Sequence, residues 1–351
     1  MQNFPDLKYI ETIRQALWSG GSNGIPDPED GRFGRAAVMI GSGFSQNAVP
    51  LHDGVTRFPL WRDTVGMMID RLLPSPQHSD KDRTDRFNNS VAISGALRLA
   101  EEFEATFGRH KLDEMLLNSI PDTESEPGYM HQLLLSLPWS DVLTTNYDTL
   151  LERAAPIHYD TVVSVADIPR STRPRIVKLH GSFPSNRPFI FTEEDFRTYP
   201  RKFSPFINLA QQTIIENTFC LIGFSGDDPN FLNWSGWVRD NLGDSSPQIY
   251  LVGLLNSSDS QRRMLEKRNV TSVDLAPIFP KTKFPNIGER HRLAIEWFLL
   301  CLEAGKPHEP EDWPLPEERG LSAPSSIAMP EVFKSENAFF HNEPRGPEGP
   351  R

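Results

Sequence analysis

Residues Val142–Glu152 read VLTTNYDTLLE. Val142 and Leu143 have the apolar character of a buried strand. Thr144, Thr145 and Asn146 form a polar rim, and Leu150 and Leu151 open an apolar helical face. A strand that ends in polar side chains and turns at once into a helix is the pattern of an open α/β sheet, whose ligands lie at the carboxyl ends of the strands. An asparagine at that rim neither gives nor takes a proton near neutral pH. It can hold a water, a ribose hydroxyl or an amide in place.

The same layout recurs three times. AAVMI, 36–40, runs into Gly41-Ser42-Gly43-Phe44-Ser45, where glycines permit a tight turn with free N–H groups and a helix start that favours phosphate. The spacing is shorter than GxGxxG, so an ordinary strand-to-helix turn is the competing reading. RIVKL, 175–179, ends at His180-Gly181-Ser182. A histidine there titrates near neutral pH and can act as a general base, or it can simply tie down the strand end. TFCLIG, 218–223, leads into GFSGDDPNF, in which Ser225 and Asp228 can bind ribose hydroxyls or cap the helix that starts near Pro229. Four polar loops at four strand ends predict one shared, dinucleotide-sized cleft with a single candidate base.

Between these points, short apolar strands alternate with amphipathic helices, most clearly from 129 to 302. Apolar strands without strict alternation predict a Rossmann-like, mainly parallel sheet with helices on both faces. The polar run SDKDRTDR reads as a solvated loop, and helices over 91–120 interrupt the alternation. A small helical inserted subdomain is therefore expected at about 74–128, within one domain spanning 1–305. Residues 306–351 are rich in proline and charge and read as a linker or tail, open to truncation from a longer polypeptide.

Composition narrows the classes of function. The chain has 351 residues, 38% hydrophobic, and a net charge of −11. No Lys/Arg stripe follows a phosphate backbone, which argues against sequence-specific nucleic-acid binding. No signal peptide and no apolar run of membrane-spanning length is present, so a cytoplasmic protein without membrane attachment is expected. The two cysteines, Cys220 and Cys301, sit in apolar stretches and read as core residues; they cannot make a four-cysteine zinc site.

In this order, GSGFS, TTNYD, KLHGS and GFSGDDPNF resemble the sirtuin family, and specifically its bacterial branch of NAD-consuming antiphage effectors, over roughly residues 35–302. The resemblance implies Asn146, Asp148 and His180 as catalytic residues. It implies Gly41, Ser42, Gly43, Phe44 and Ser45 on the NAD phosphates, with Thr145, Gly223, Ser225 and Asp228 also contacting the nucleotide. Two departures are plain: the paired zinc cysteines of protein-deacylating sirtuins are missing, and QNAVPLHDGVTRFPLW stands where their Gly-Ile-Pro and Phe-Arg elements would be. The helical insertion takes the place of the zinc module, so no metal is expected.

What the resemblance implies is hydrolysis of NAD to nicotinamide and ADP-ribose during abortive infection. Asn146 would place the attacking water or the ribose hydroxyls, His180 would take the proton, and Asp148 would orient the ribose or the loop. The alternatives are an NAD-dependent protein deacylase and a non-catalytic NAD-binding module. Constant NAD hydrolysis would kill the host, so gating is expected, through a homo-oligomer and a sensor such as an Argonaute-like module or an oligomeric ATPase.

Overall fold

The computed structural model describes residues 4–20, 25–184 and 186–303; the expected tail at 306–351 lies outside them. Helix α1 (Leu7–Leu17) precedes strand β1 (Ala36–Ile40), the short helix α2 (Ser42–Ser45) and strand β2 (Val49–Pro50). Four helices follow: α3 (Trp61–Leu72), α4 (Asp80–Ser90), α5 (Ile93–Phe107) and α6 (Arg109–Ser119). Strand β3 (Ser125–Glu126) and helix α7 (Tyr129–Leu135) then lead to β4 (Asp141–Thr144), α8 (Leu150–Ala154), β5 (Asp160–Val162) and β6 (Arg175–Lys178). The second half runs α9 (Glu193–Lys202), α10 (Ser204–Glu216), β7 (Thr218–Ile222), α11 (Pro229–Leu242), β8 (Ile249–Gly253), α12 (Asp259–Lys267), β9 (Val270–Asp274) and α13 (Ile287–Glu303).

Seven strands form one sheet in the order β5-β6-β4-β1-β7-β8-β9, with every pairing parallel. All five residues of β1 are buried, as a strand covered on both faces must be. Ala37, Met39, Leu143, Val177, Phe219 and Leu221 face a core completed by Tyr199, Phe206, Ile214, Phe231 and Trp234 from α9, α10 and α11. Helices α1 and α13 pack together on the sheet through β1, β7 and β8. The expected Rossmann-like sheet with helices on both faces is what the chain forms.

Strand β1 has β4 on one side and β7 on the other. The chain winds outward from β1 in one direction and then returns to start again in the other, which opens a crevice at the carboxyl ends of the central strands. The loops after β1 and β7 touch there. A Cβ on Gly41 would lie 2.4 Å from the Gly223 carbonyl oxygen, and Gly223 adopts φ 63°. Glycine is required at Gly41 by the contact, and at Gly223 by contact and backbone angle together.

The helical layer begins a helix earlier than the 74–128 window, at α3. Val65, Met68 and Ile69 of α3 share a core with Ala96, Leu99 and Phe103 of α5 and with Leu112 and Met115 of α6. The polar run expected to be loop is helix α4. Ser79 caps it by accepting the Asp82 N–H at 3.2 Å, and Arg83 and Arg86 reach Asp70 of α3 and Glu102 of α5. Capping and neighbouring charges order a segment with almost no apolar face. Among the described residues no helix is long and apolar enough to cross a membrane.

Candidate functional site

The crevice holds a cavity of about 290 Å³ between two walls. The first is built from the loops after β1, β4, β6 and β7: Gly41–Gly43 and Ser45, Thr145–Asp148, His180, and Gly223–Ser225 with Asp228. The second comes from the helical layer and the segment before it, with Phe58–Arg62, Thr64, Ile93, Leu116, Ser119 and Ile120. Phe191 lies beside Trp61, their rings stacked at 5.2 Å and 6°.

A chain of hydrogen bonds orders the first wall. The Asn146 amide nitrogen donates to Ser45 Oγ at 2.8 Å, and Ser45 Oγ donates to Asp148 Oδ2 at 2.7 Å. The Asn146 N–H donates to Thr144 Oγ1 at 3.0 Å, and that hydroxyl donates to the Ile40 carbonyl at 2.9 Å. Strand β4 is thereby locked to β1 at the rim. Beneath it, Lys178 is almost fully buried; its ammonium donates to the Asp148 carbonyl and lies 3.0 Å from Glu152 Oε1.

Burial pushes the Asp148 carboxyl up, while the Lys178 charge and the Ser45 hydroxyl pull it back towards the ionised form. In the hydrogen bond between them the Ser45 hydroxyl is the donor, so its single proton goes to Asp148. Ser45 must then accept from Asn146, which presents its amide nitrogen inward. The Asn146 carbonyl oxygen is left with no protein partner among the described residues, an acceptor held at the cavity wall.

His180 is 1% exposed. Its ring meets Phe196 and Tyr199 edge-on at 5.2 and 5.8 Å, and Nε2 lies 3.2 Å from the Asn230 amide nitrogen. Burial holds its pKa down to about 3, against a smaller upward pull from the Asp195 charge. This corrects the expectation of a base titrating near neutral pH: the imidazole is neutral throughout the physiological range. Asp228 caps α11 by accepting the Phe231 N–H at 3.0 Å, and burial raises its pKa to about 6. Capping and cavity lining are therefore both true of it.

Two further expectations change. Phe44 does not line the cavity; its ring is buried against His131 at 5.2 Å. The glycine turn also has fewer free donors than expected, because the N–H groups of Gly41, Gly43 and Phe44 donate to Ile222, Gly223 and Gly41 carbonyls. All the other expected site residues reach the cavity. Trp61, Phe191, Lys178 and Asn230 were not singled out as site residues, although a lone lysine inside RIVKL is itself a signal, since a buried ammonium needs an acceptor.

A family profile described as a SIR2-like domain matches residues 140–273. That stretch is SIR2-like. That match takes in Asn146, Asp148, His180 and the Gly223–Asp228 loop, while the first glycine turn and the helical wall lie upstream of it. Over 155 residues the chain is 32% identical to the NAD(+) hydrolase ThsA of Acinetobacter baumannii (strain 532279), covering 41% of this chain and 31% of that protein. It is 27% identical over 250 residues to the NAD(+) hydrolase ThsA of Enterococcus faecium, covering 69% and 46%. It is 22% identical over 285 residues to defense-associated sirtuin 2 of Bacillus subtilis, covering 78% and 26%. The chain thus spans less than half the length of each of these relatives. Among the described residues, no group of three or more His, Cys, Asp or Glu is placed to hold a metal ion.

Proposed function

We propose that this chain hydrolyses NAD⁺ to nicotinamide and ADP-ribose, as the gated effector of a bacterial antiphage defence system. The observation that carries the reading is the Asp148–Ser45–Asn146 chain, which holds an uncharged acceptor at a sheet crevice opposite an apolar wall. Relatives named NAD(+) hydrolase and defense-associated sirtuin support it.

In the proposed reaction the bond between C1′ of the ribose and nicotinamide N1 breaks, and its electron pair neutralises the pyridinium. Positive charge develops on the ribose ring. A water oxygen bonds to C1′ and its proton leaves to solvent, giving nicotinamide, ADP-ribose and one proton. Asn146 Oδ1 would accept from that water or from a ribose hydroxyl and fix its direction of approach. Asp148 acts behind it, through Ser45. His180, neutral and lining the same cavity, would hold the ribose. Trp61, Phe191, Leu116 and Ile120 would exclude bulk water and receive the flat, uncharged leaving group.

A hydrolase of this kind drains its host if always active, so we place it under control by self-association or by a sensor. The test is incubation with NAD⁺ over a range of protein concentrations, with chromatography of the products. Equal amounts of nicotinamide and ADP-ribose are expected, rising more steeply than protein concentration. NAD⁺ binding without products at every concentration, or nicotinamide release only with an acylated peptide, would overturn the reading.

A further inference from the structure

Asn230 is the one side chain hydrogen-bonded to the His180 ring among the described residues, and it lies outside the cavity. It is 2% exposed and sits one residue after Pro229, at the start of α11. The other polar groups nearby are engaged. Tyr199 Oη donates to the Leu179 carbonyl at 2.8 Å, and Tyr147 Oη to the Ile190 carbonyl at 2.9 Å. Asp195 Oδ2 accepts the Phe191 and Thr192 N–H groups and the Arg109 guanidinium. Among the described residues nothing else competes for Nε2.

An amide nitrogen only donates, so Nε2 must accept, and the single ring proton of a neutral imidazole then sits on Nδ1. Helix position sharpens the point. The first turn of a helix favours negative charge, and an aspartate at 230 would suit the helix alone. An amide stands there instead, next to the already buried Asp228 and facing a ring nitrogen that needs a donor.

We propose that Asn230 is a positioning residue that holds His180 as the neutral, Nδ1-protonated tautomer and so fixes how the imidazole is presented to its ligand. The ligand atom is a ribose hydroxyl oxygen; that part rests on the NAD⁺-hydrolysing reading, whereas the tautomer does not. Asn230 also joins two parts of the site. The turn that carries Gly223, Ser225 and Asp228 runs straight into it, so a substrate contact on that turn and the orientation of the imidazole are set by one rigid segment.

Nitrogen-15 labelling of the histidines in the full chain tests this, with long-range proton–nitrogen correlation spectra and His180 assigned from its loss in His180→Gln. The wild type should show a protonated Nδ1 and an accepting Nε2. Asn230→Ala should give mixed tautomers, with kcat lower by about 10–100-fold and KM nearly unchanged, the cost of a misdirected group. Asn230→Asp keeps size and helix preference and offers only acceptors, so it should move the proton to Nε2; it serves if the alanine variant fails to fold. A wild-type spectrum with Nε2 protonated would overturn the proposal, as would variants with unchanged tautomer and unchanged kcat. If no form releases nicotinamide, the hydrolase reading falls while the spectra still decide the tautomer.

Discussion

The two walls of the cavity are built on different physical terms. The strand-end wall is organised by directional hydrogen bonds: Thr144 to Ile40, Asn146 to Ser45, Ser45 to Asp148, Asp228 to Phe231. The helical wall is mostly apolar surface, with Trp61 stacked on Phe191 and with Ile93, Leu116 and Ile120 around it. Directional hydrogen bonds fix atoms to within tenths of an ångström and suit a group that must aim at a reacting bond. Apolar contact is tolerant of direction and suits shape, desolvation and affinity. Damage to the first wall should therefore appear in the rate of the chemical step, and damage to the second in binding.

Asn146→Ala should break the first wall most severely. We expect turnover to fall on the order of 10²–10⁴-fold with a melting temperature close to the parent's. Normal activity per folded molecule in a variant that melts much lower would make Asn146 structural. Ser45→Ala removes the link between Asp148 and Asn146 without touching either. A loss of about 10²-fold in kcat is expected from the released amide; an unchanged kcat would show that the asparagine needs no such support.

Trp61→Ala probes the other wall. Its stacking partner and part of the apolar surface are lost, so KM should rise about tenfold while kcat changes little, and stability should fall by about 1–3 kcal/mol. A drop in kcat at constant KM would blur the division between the walls. The mildest effect near neutral pH concerns two buried histidines. Burial lowers His180 to about 3 and His131 to about 4, from 6.5. The unfolded chain binds these protons first, so their contribution is fully favourable above about pH 6.5. It declines as pH falls and levels off only below the folded values. Denaturant midpoints between pH 8 and 4 should show this slope, weakened in His131→Gln; an equal slope in that variant would remove His131 from the account.

Much of this was legible in the residues themselves. Apolar runs ending in TTN, HGS or GFSGDD name strand ends whatever their neighbours are, because burial on both faces demands uninterrupted apolar strands and the cleft demands polar exits. Asp228 announced a cap through Pro229. The helix α4 was hidden because its periodicity is polar and its order comes from Ser79 and from ion pairs to α3 and α5. In PLWRDTVGMMIDRLL, 59–73, Trp61 shares one helical side with Val65, Met68 and Ile69, the pattern of a core residue, and nothing local says that its ring faces a cavity.

By itself, then, the sequence determined the parallel α/β class, the four polar loops and the absence of cysteine pairs, since each follows from short-range pattern. Tertiary structure alone decided that Phe44 turns into the core, that Ser45 bridges Asn146 and Asp148 from more than 100 positions away, and that His180 is too deeply buried to titrate near neutrality. Those are consequences of which surfaces are removed from water and which donors meet which acceptors, and both arise only when distant segments pack.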